Sequence, residues 1–421
     1  MRLPYLFFFF VLIFNFWGIL PLGGLSPDIN LAGTLAYMAL APILFKNRTF
    51  SLRDKHFIPF FMIVAGIVLS MIPAKLNFGQ SIPQSVITYR SLSLWLSIPF
   101  LFWISPSKEE IRKITFWLTV CMAGVLFLMS FFPSLFFVPE KYAQPVIEED
   151  NFVPGFAVAV IPLFFALDNL RQKMSVKDLA IALFCLTFLF FLQNRSSLFP
   201  AALIFAVTIL LNKGKNRWLV ISLGIILGII LVAATAAVWN NLIEETISNL
   251  GNDDYNRIKA YLYFFSPQAY PSPMSFILGN GFLSAHSSSE FSDLMDQGIY
   301  YSDVGYIGFF NQFGILPIAA FIIMLAMPFK QTSRLAVARK ITNGQEGPLK
   351  LVRIRDLRRQ GYSYFMKIFS IFMIITSLTI GYYGQASSMI VFAIYYYLAF
   401  KEQEQLTISS KTEDAIFLKE N

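Results

Sequence analysis

Long, nearly uncharged apolar stretches recur along this chain, and few folds tolerate them. A bilayer-spanning helix needs roughly 20 mainly apolar residues. Windows of that kind fall near 4–20, 29–45, 57–73, 85–104, 114–138, 152–168, 178–193, 197–212, 217–239, 304–328, 363–380 and 384–400. With 56% hydrophobic residues and a mean hydropathy of +0.60, a soluble chain of 421 residues would be left with large exposed apolar patches. The expected fold is therefore an all-α polytopic membrane protein with about twelve transmembrane helices. Arg2 precedes the first apolar run, which ends at Gly18-Ile19-Leu20-Pro21 with no small-x-small cleavage pattern, so the reading is a retained first helix rather than a signal peptide.

Orientation follows from the loops, because Lys and Arg accumulate on the cytoplasmic side. With the N-terminus inside, 27 of the 33 basic residues fall in inner loops or the tail. Only Lys75, Arg90, Lys141, Arg195, Arg257 and Lys259 lie outside, where 13 of the 25 acidic residues also fall. The net charge of +8 thus reflects topology and gives no reason to expect a nucleic-acid partner. Both chain ends are expected in the cytoplasm. The organisation expected is 1–239 as spans one to nine, 240–303 as one large outer loop, 304–400 as spans ten to twelve with a basic inner loop at 329–362, and 401–421 as a tail. The inner loop reads as a partly helical surface against anionic headgroups. No internal repeat is visible, and no pair of short Gly- or Pro-interrupted helices.

The outer loop carries most of the local signals. Ile258, Tyr261, Leu262 and Phe265 recur at helical spacing and predict a helix over 254–266, broken by Pro267, Pro271 and Pro273. The run Ser275 to Phe282 closes in a Gly279-Asn280-Gly281 turn, and the chain re-enters the membrane at Ser302-Asp303-Val304-Gly305-Tyr306.

Charged groups near a membrane are costly and tend to be functional. Arg90 sits inside the outer end of the fourth span, Arg195 in the tight Asn194-Arg195-Ser196-Ser197 hairpin, and Arg257 in the outer loop. Converging guanidinium forks match the oxygens of a diphosphate. Each also has a plain alternative: snorkelling for Arg90, a polar turn for Arg195, and a local ion pair with Asp253 or Asp254 for Arg257. Asp303, at the re-entry point, suits a general base and equally suits a helix N-cap. His286 is the other candidate base, whereas His56 reads as cytoplasmic surface. Cys121 and Cys185 lie inside spans and read as packing residues, with no disulfide framework. The absence of a Walker loop, a dinucleotide fingerprint and a Gly-x-Ser-x-Gly elbow removes support for nucleotide-driven transport and acyl-transfer hydrolysis. No acidic pairing suggests a metal, and no cofactor is expected.

Four of these elements together resemble the bacterial O-antigen polymerase and ligase family. Asn194-Arg195-Ser196-Ser197 resembles its Arg-Ser element before a hydrophobic span, and Arg257 with the following aromatics resembles its periplasmic arginine. Leu278-Gly279-Asn280-Gly281-Phe282 is similar to its Gly-x-Gly-Phe element, and Ser302 to Tyr306 through Gln312-Phe313-Gly314-Ile315-Leu316 is similar to its re-entry motif. The resemblance covers about a quarter of the chain. It implies a GT-C-like bacterial inner-membrane glycosyltransferase, a polymerase joining undecaprenyl-diphosphate-linked repeat units at the periplasmic face. Arg90, Arg195 and Arg257 would bind the diphosphate, Asp303 or His286 would act as base, and Gly279, Gly281, Gly305 and Tyr306 would shape the loop. The implied partners are the lipid-linked oligosaccharide, membrane lipid and a chain-length regulator protein. Ligases of the group carry a His-Asn pair before re-entry, where this chain has Tyr301-Ser302-Asp303. That difference favours polymerase over ligase. A lipid-linked oligosaccharide flippase or another secondary transporter is the rival of a different class.

Overall fold

A helix that is apolar all round has no face to offer to water and belongs in the middle of a bundle. Among the described residues two helices are apolar all round over most of their length, and both are central in the computed structural model. This describes residues 2–13, 27–45, 55–131, 156–172, 175–191, 195–210, 222, 256–283, 289–297, 299, 301–342, 363–379 and 388–404. Residues 158–168 of the Phe156–Gln172 helix and residues 388–399 of the 388–404 helix are buried without exception. Among the described residues 91% are helical and none is in a strand, so the all-α expectation holds. Among the described residues two stretches, Ile58–Phe78 and Ile82–Ile104, are long and apolar enough to cross a membrane, and five shorter apolar helices accompany them. The ninth window, 217–239, falls outside the described residues except for position 222, as do 343–362 and 405–421.

Several of the windows are not single helices. The fourth is an α-helix over Ile82–Thr88, a 3-10 helix over Tyr89–Leu96 and an α-helix over Ser97–Ile104. With three residues per 3-10 turn, Tyr89, Leu92 and Trp95 stack on one buried stripe. The third window divides at Ser70 into Ile58–Leu69 and Met71–Phe78, three residues before Pro73, which has no amide to continue the ladder. The tenth divides at Gly314 into Gly305–Phe313 and Ile315–Thr342. The sequence shows no interrupted helix pair, yet three windows are interrupted, because hydropathy averages over such breaks while single Gly, Pro and Ser positions set them. The Ile315–Thr342 helix also runs on into the first part of the basic segment at 329–362.

The two ends of the bundle differ in chemistry. At one end, Arg2 donates to the Ser105 carbonyl at 2.9 Å and lies 3.6 Å from Glu110. There the Tyr364–Thr379 helix begins under two carboxylates: Asp168 accepts from the Phe365 amide at 3.3 Å, and Glu402 accepts from the Ser363 amide and hydroxyl. Carboxylates favour a helix N-terminus because they complement its exposed amides and dipole. Burial pushes the Glu402 carboxyl above its usual range, and the Ser363 hydrogen bonds and nearby Lys108 pull the other way. Arg171 stacks 4.2 Å above the Tyr364 ring. All these residues lie on segments that the charge pattern assigns to the inner face.

The opposite end is set by helix direction. Thr208 and Tyr364 share a hydroxyl contact at 2.7 Å, and the Arg195–Leu210 and Tyr364–Thr379 helices pack side by side. From Thr208 back to Arg195 is thirteen residues, as it is from Tyr364 forward to Ser377; each distance is about 20 Å at 1.5 Å per residue. Arg195 therefore opens its helix at the level of Ser377 and Leu378, far from the carboxylate-capped end.

Candidate functional site

The residues at that far end form a compact module of short helices and turns. The Asn256–Phe265 helix buries Ala260 and Phe264 against Ile299 and Val304. Its register puts Arg257, Ala260, Tyr261 and Phe264 on one face, three, four and seven residues apart. That face meets the 3-10 turn Tyr301–Val304, which contains Asp303. Tyr261 also donates to the Leu378 carbonyl, tying the outer helix to the end of the Tyr364–Thr379 helix. The Asn256–Phe265 helix ends ahead of Pro267, as the sequence predicts, and Pro267 and Pro273 also start new structure. Each opens a short helix, Pro267–Ala269 and Pro273–Leu278, at a first-turn position where the missing amide costs nothing. Ser272 caps the second, accepting from the Ser275 amide at 3.2 Å.

The Gly279-Asn280-Gly281 turn is held from three sides. The Asn280 and Gly281 amides donate to the Asn311 and Gln312 carbonyls at 2.7 and 2.8 Å, so the turn satisfies the end of the Gly305–Phe313 helix. The Asn280 and Asn311 carboxamides, 3% and 1% exposed, both donate to the Ala269 carbonyl, at 2.7 and 2.8 Å. On the third side the Tyr89 hydroxyl accepts from the Phe282 amide at 2.8 Å and contacts Ser70 Oγ at 3.2 Å. Gln80 donates to the Phe282 carbonyl at 3.1 Å. Gly281 is required because its φ of +81° is left-handed and an added Cβ would overlap the Tyr89 hydroxyl. The interrupted third, fourth and tenth windows thus meet at the Gly-x-Gly turn.

Gly305 performs a similar task at the re-entry point. Its φ is +51°, and a Cβ there would overlap the Ser377 carbonyl oxygen. The close approach sets the start of the Gly305–Phe313 helix directly against the end of the Tyr364–Thr379 helix, at the level where Arg195 begins its own helix. Two residues before Asp303 lies Tyr301, whose hydroxyl is pushed well above its usual range by burial and by the neighbouring Tyr263, Tyr89 and Tyr270. It stays a neutral phenol that can donate and accept.

The sequence-predicted residues therefore separate into groups. Arg195, Arg257, Asp303, Gly305 and Tyr306 lie on backbone at one end of the bundle, with Gly279 and Gly281 shaping the adjoining turn. The side chains of Arg195, Arg257 and Asp303 and the whole of His286 lie outside what the structure describes. Arg90 stands on the exposed stripe of its 3-10 helix and donates to the Ile87 carbonyl at 2.9 Å. Its neighbour Tyr89 is the residue that faces the turn. Sequence reasoning missed Tyr89, Gln80, Asn280 and Asn311. One usable signal existed in Asn311-Gln312, a polar pair inside an apolar window that needs buried partners. Among the described residues no group of three His, Cys, Asp or Glu side chains could hold a metal ion.

The hub has a direct test. Tyr89→Phe removes the acceptor of the Phe282 amide and leaves a buried donor unpaired, at an expected cost of about 1–3 kcal/mol. Thermal unfolding in detergent measures it, and an unchanged midpoint would remove Tyr89 from this role.

Comparison of the chain with protein-family models and with curated proteins finds no match.

Proposed function

We propose that this chain is a multi-pass bacterial inner-membrane glycosyltransferase of about twelve spans, a GT-C-like O-antigen or exopolysaccharide polymerase acting at the periplasmic face. The observation that carries the reading is the segregation of the bundle ends. Arg195, Arg257 and Asp303, all on segments the charge rule assigns outside, share one end. The opposite end gathers Arg2, Lys108, Arg171, Asp168 and Glu402.

In the proposed reaction the hydroxyl oxygen of an incoming repeat unit attacks the anomeric carbon of the growing chain. The bond from that carbon to the diphosphate oxygen breaks, and undecaprenyl diphosphate leaves with the bonding pair. Arg195 and Arg257, with Arg90 after a rotamer change, neutralise the leaving diphosphate by charge-assisted hydrogen bonds. Asp303, or His286, takes the hydroxyl proton. Tyr301 contributes a neutral phenol from the same turn as Asp303. A chain-length regulator protein would bind the same assembly.

Purified protein supplied with one lipid-linked repeat unit and no second acceptor is expected to make a ladder of products. A product only on addition of lipid A core or protein would instead make it a ligase. Movement of the intact lipid-linked unit across a vesicle bilayer, without chain growth, would make it a flippase. That last reading draws on the interrupted helices at Ser70, Tyr89–Leu96 and Gly314, a feature common in transporters. Here, however, the breaks at Ser70 and Tyr89 are bonded into the turn.

A further inference from the structure

The fourth window holds eight consecutive residues, Tyr89–Leu96, in a 3-10 helix between two α-helices. Such runs ordinarily stop at about three or four residues. The sequence fits a second register as well. In the 3-10 form Tyr89, Leu92 and Trp95, three apart, make the buried stripe. In α geometry Thr88, Leu92 and Trp95, four and three apart, would make it instead. Leu92 and Trp95 serve both registers, so only the outermost member changes, from a long phenol to a short hydroxyl.

The change of register is a screw motion of fixed size. From Trp95 back to Tyr89, the rise per residue falls from about 2.0 to about 1.5 Å and the rotation from about 120° to about 100°. Over those six steps the outer part descends by about 3 Å and turns by about 120°. The two sides of the segment are held unequally. Below it Ile98, Phe100, Leu101 and Ile104 are buried, and Pro99 has no amide for the Trp95 carbonyl, so the lower joint is fixed. Above it, in the Ile82–Thr88 helix, Ser85 is buried while Ile82, Val86 and Ile87 are exposed. That helix follows Gly79, whose φ is +70° and where an added Cβ would meet nothing within 4 Å.

Two side chains hold the 3-10 position by one residue. The Tyr89 hydroxyl accepts from the Phe282 amide, and the Gln80 carboxamide donates to the Phe282 carbonyl. At the foot of the segment the Trp95 indole N–H and the Ser97 hydroxyl are buried without a hydrogen-bond partner, a cost that weighs against this position. We propose that the fourth window is a two-position screw, whose turn into α geometry withdraws Tyr89 from Phe282 and releases the Gly-x-Gly turn. That turn closes the Gly305–Phe313 helix through the Asn280 and Gly281 amides. The Gly305–Phe313 helix in turn packs against both the Asn256–Phe265 helix and the Tyr301–Val304 turn, so the release reaches the elements that carry Arg257 and Asp303. The two positions belong to the fold and do not depend on the polymerase reading.

Spin labels test this in the full chain carrying Cys121→Ser and Cys185→Ala. A label at Ile87→Cys is paired in turn with one at Ile322→Cys and one at Trp117→Cys, both exposed on other helices. A point on a helix surface, about 5–6 Å from the axis, moves by about 9 Å in a turn of about 120°. Pulsed electron-spin distance measurement in detergent should show one main distance and a minor second one. Tyr89→Phe should make the second distance dominant. Ser91→Ala with Ser93→Ala raises helix propensity and removes the Ser93 hydroxyl bond to the Arg90 carbonyl, and should raise the share of the second distance on the order of five-fold. This variant keeps Tyr89 and its bonds, so a folding defect in Tyr89→Phe leaves the test standing. A pair at Leu262→Cys and Ile322→Cys should shift in the same variants, reporting the outer module. Distances from residue 87 that stay single and unchanged in the background and the variants overturn the proposal. Movement at residue 87 with none at residue 262 overturns it too, because the screw would then turn without releasing the module.

Discussion

On the proposed polymerase reading, Arg257→Ala is expected to abolish the product ladder, with the rate of chain extension falling by roughly 10²–10³-fold, the usual cost of deleting one donor to charge that develops in a transition state. Arg195→Ala should do the same, because both residues open helices at the end of the bundle that holds Asp303. The two losses should be strongly non-additive if the arginines grip a single diphosphate, since removing either leaves the other with half a ligand. Lysine should restore little at either position. Its ammonium supplies a point charge where two forked pairs of bonds are needed. Polymer length on membranes from each variant, read beside a thermal-stability control, is the measurement. Full-length polymer from both alanine variants would show that the diphosphate is bound elsewhere.

The second large effect is structural. Gly305→Ala should destabilise the protein by about 2–5 kcal/mol, combining roughly 1–2 kcal/mol for a left-handed alanine with about 1–3 kcal/mol for overpacking against the Ser377 carbonyl. Because the displaced helix follows directly on the turn that contains Asp303, polymerisation on the proposed reading should fall further than the loss of folded protein explains. Activity per folded molecule, with folded protein counted by size-exclusion chromatography in detergent, separates the two. Unchanged stability would mean that the re-entry helix and the Tyr364–Thr379 helix do not meet as closely as described.

Hydropathy was enough to locate eleven of the twelve windows on helices among the described residues, because burying backbone in an apolar stretch leaves little alternative to a helix. The interruptions were hidden for the same reason. A 20-residue average does not register Gly314 between apolar neighbours, nor a 3-10 stripe at Tyr89, Leu92 and Trp95 that looks like any other aromatic-rich stretch. Arg257 stood out as an off-rule cation, and Gly305 as part of the Ser302 to Tyr306 segment that resembles the re-entry motif. Asn280 and Asn311 did not, because their pairing spans 31 positions and is created by the Gly-x-Gly turn. Arg90 shows the converse. Its charge was conspicuous, yet the neighbouring tyrosine makes the contacts to the turn.

The 388–404 helix, buried throughout 388–399, also bears on how the protein is made. It lies after all the other described helices in chain order, and Trp95, Phe321 and Phe369 pack against its rings from three different helices. Those earlier helices cannot complete their mutual packing during synthesis, since the pillar between them has yet to leave the ribosome. Until residue 399 or so emerges, the insertion machinery or surrounding lipid must occupy the slot. Assembly is thus coupled to synthesis of this late helix, and a chain terminated before it lacks the rings against which Trp95, Phe321 and Phe369 pack.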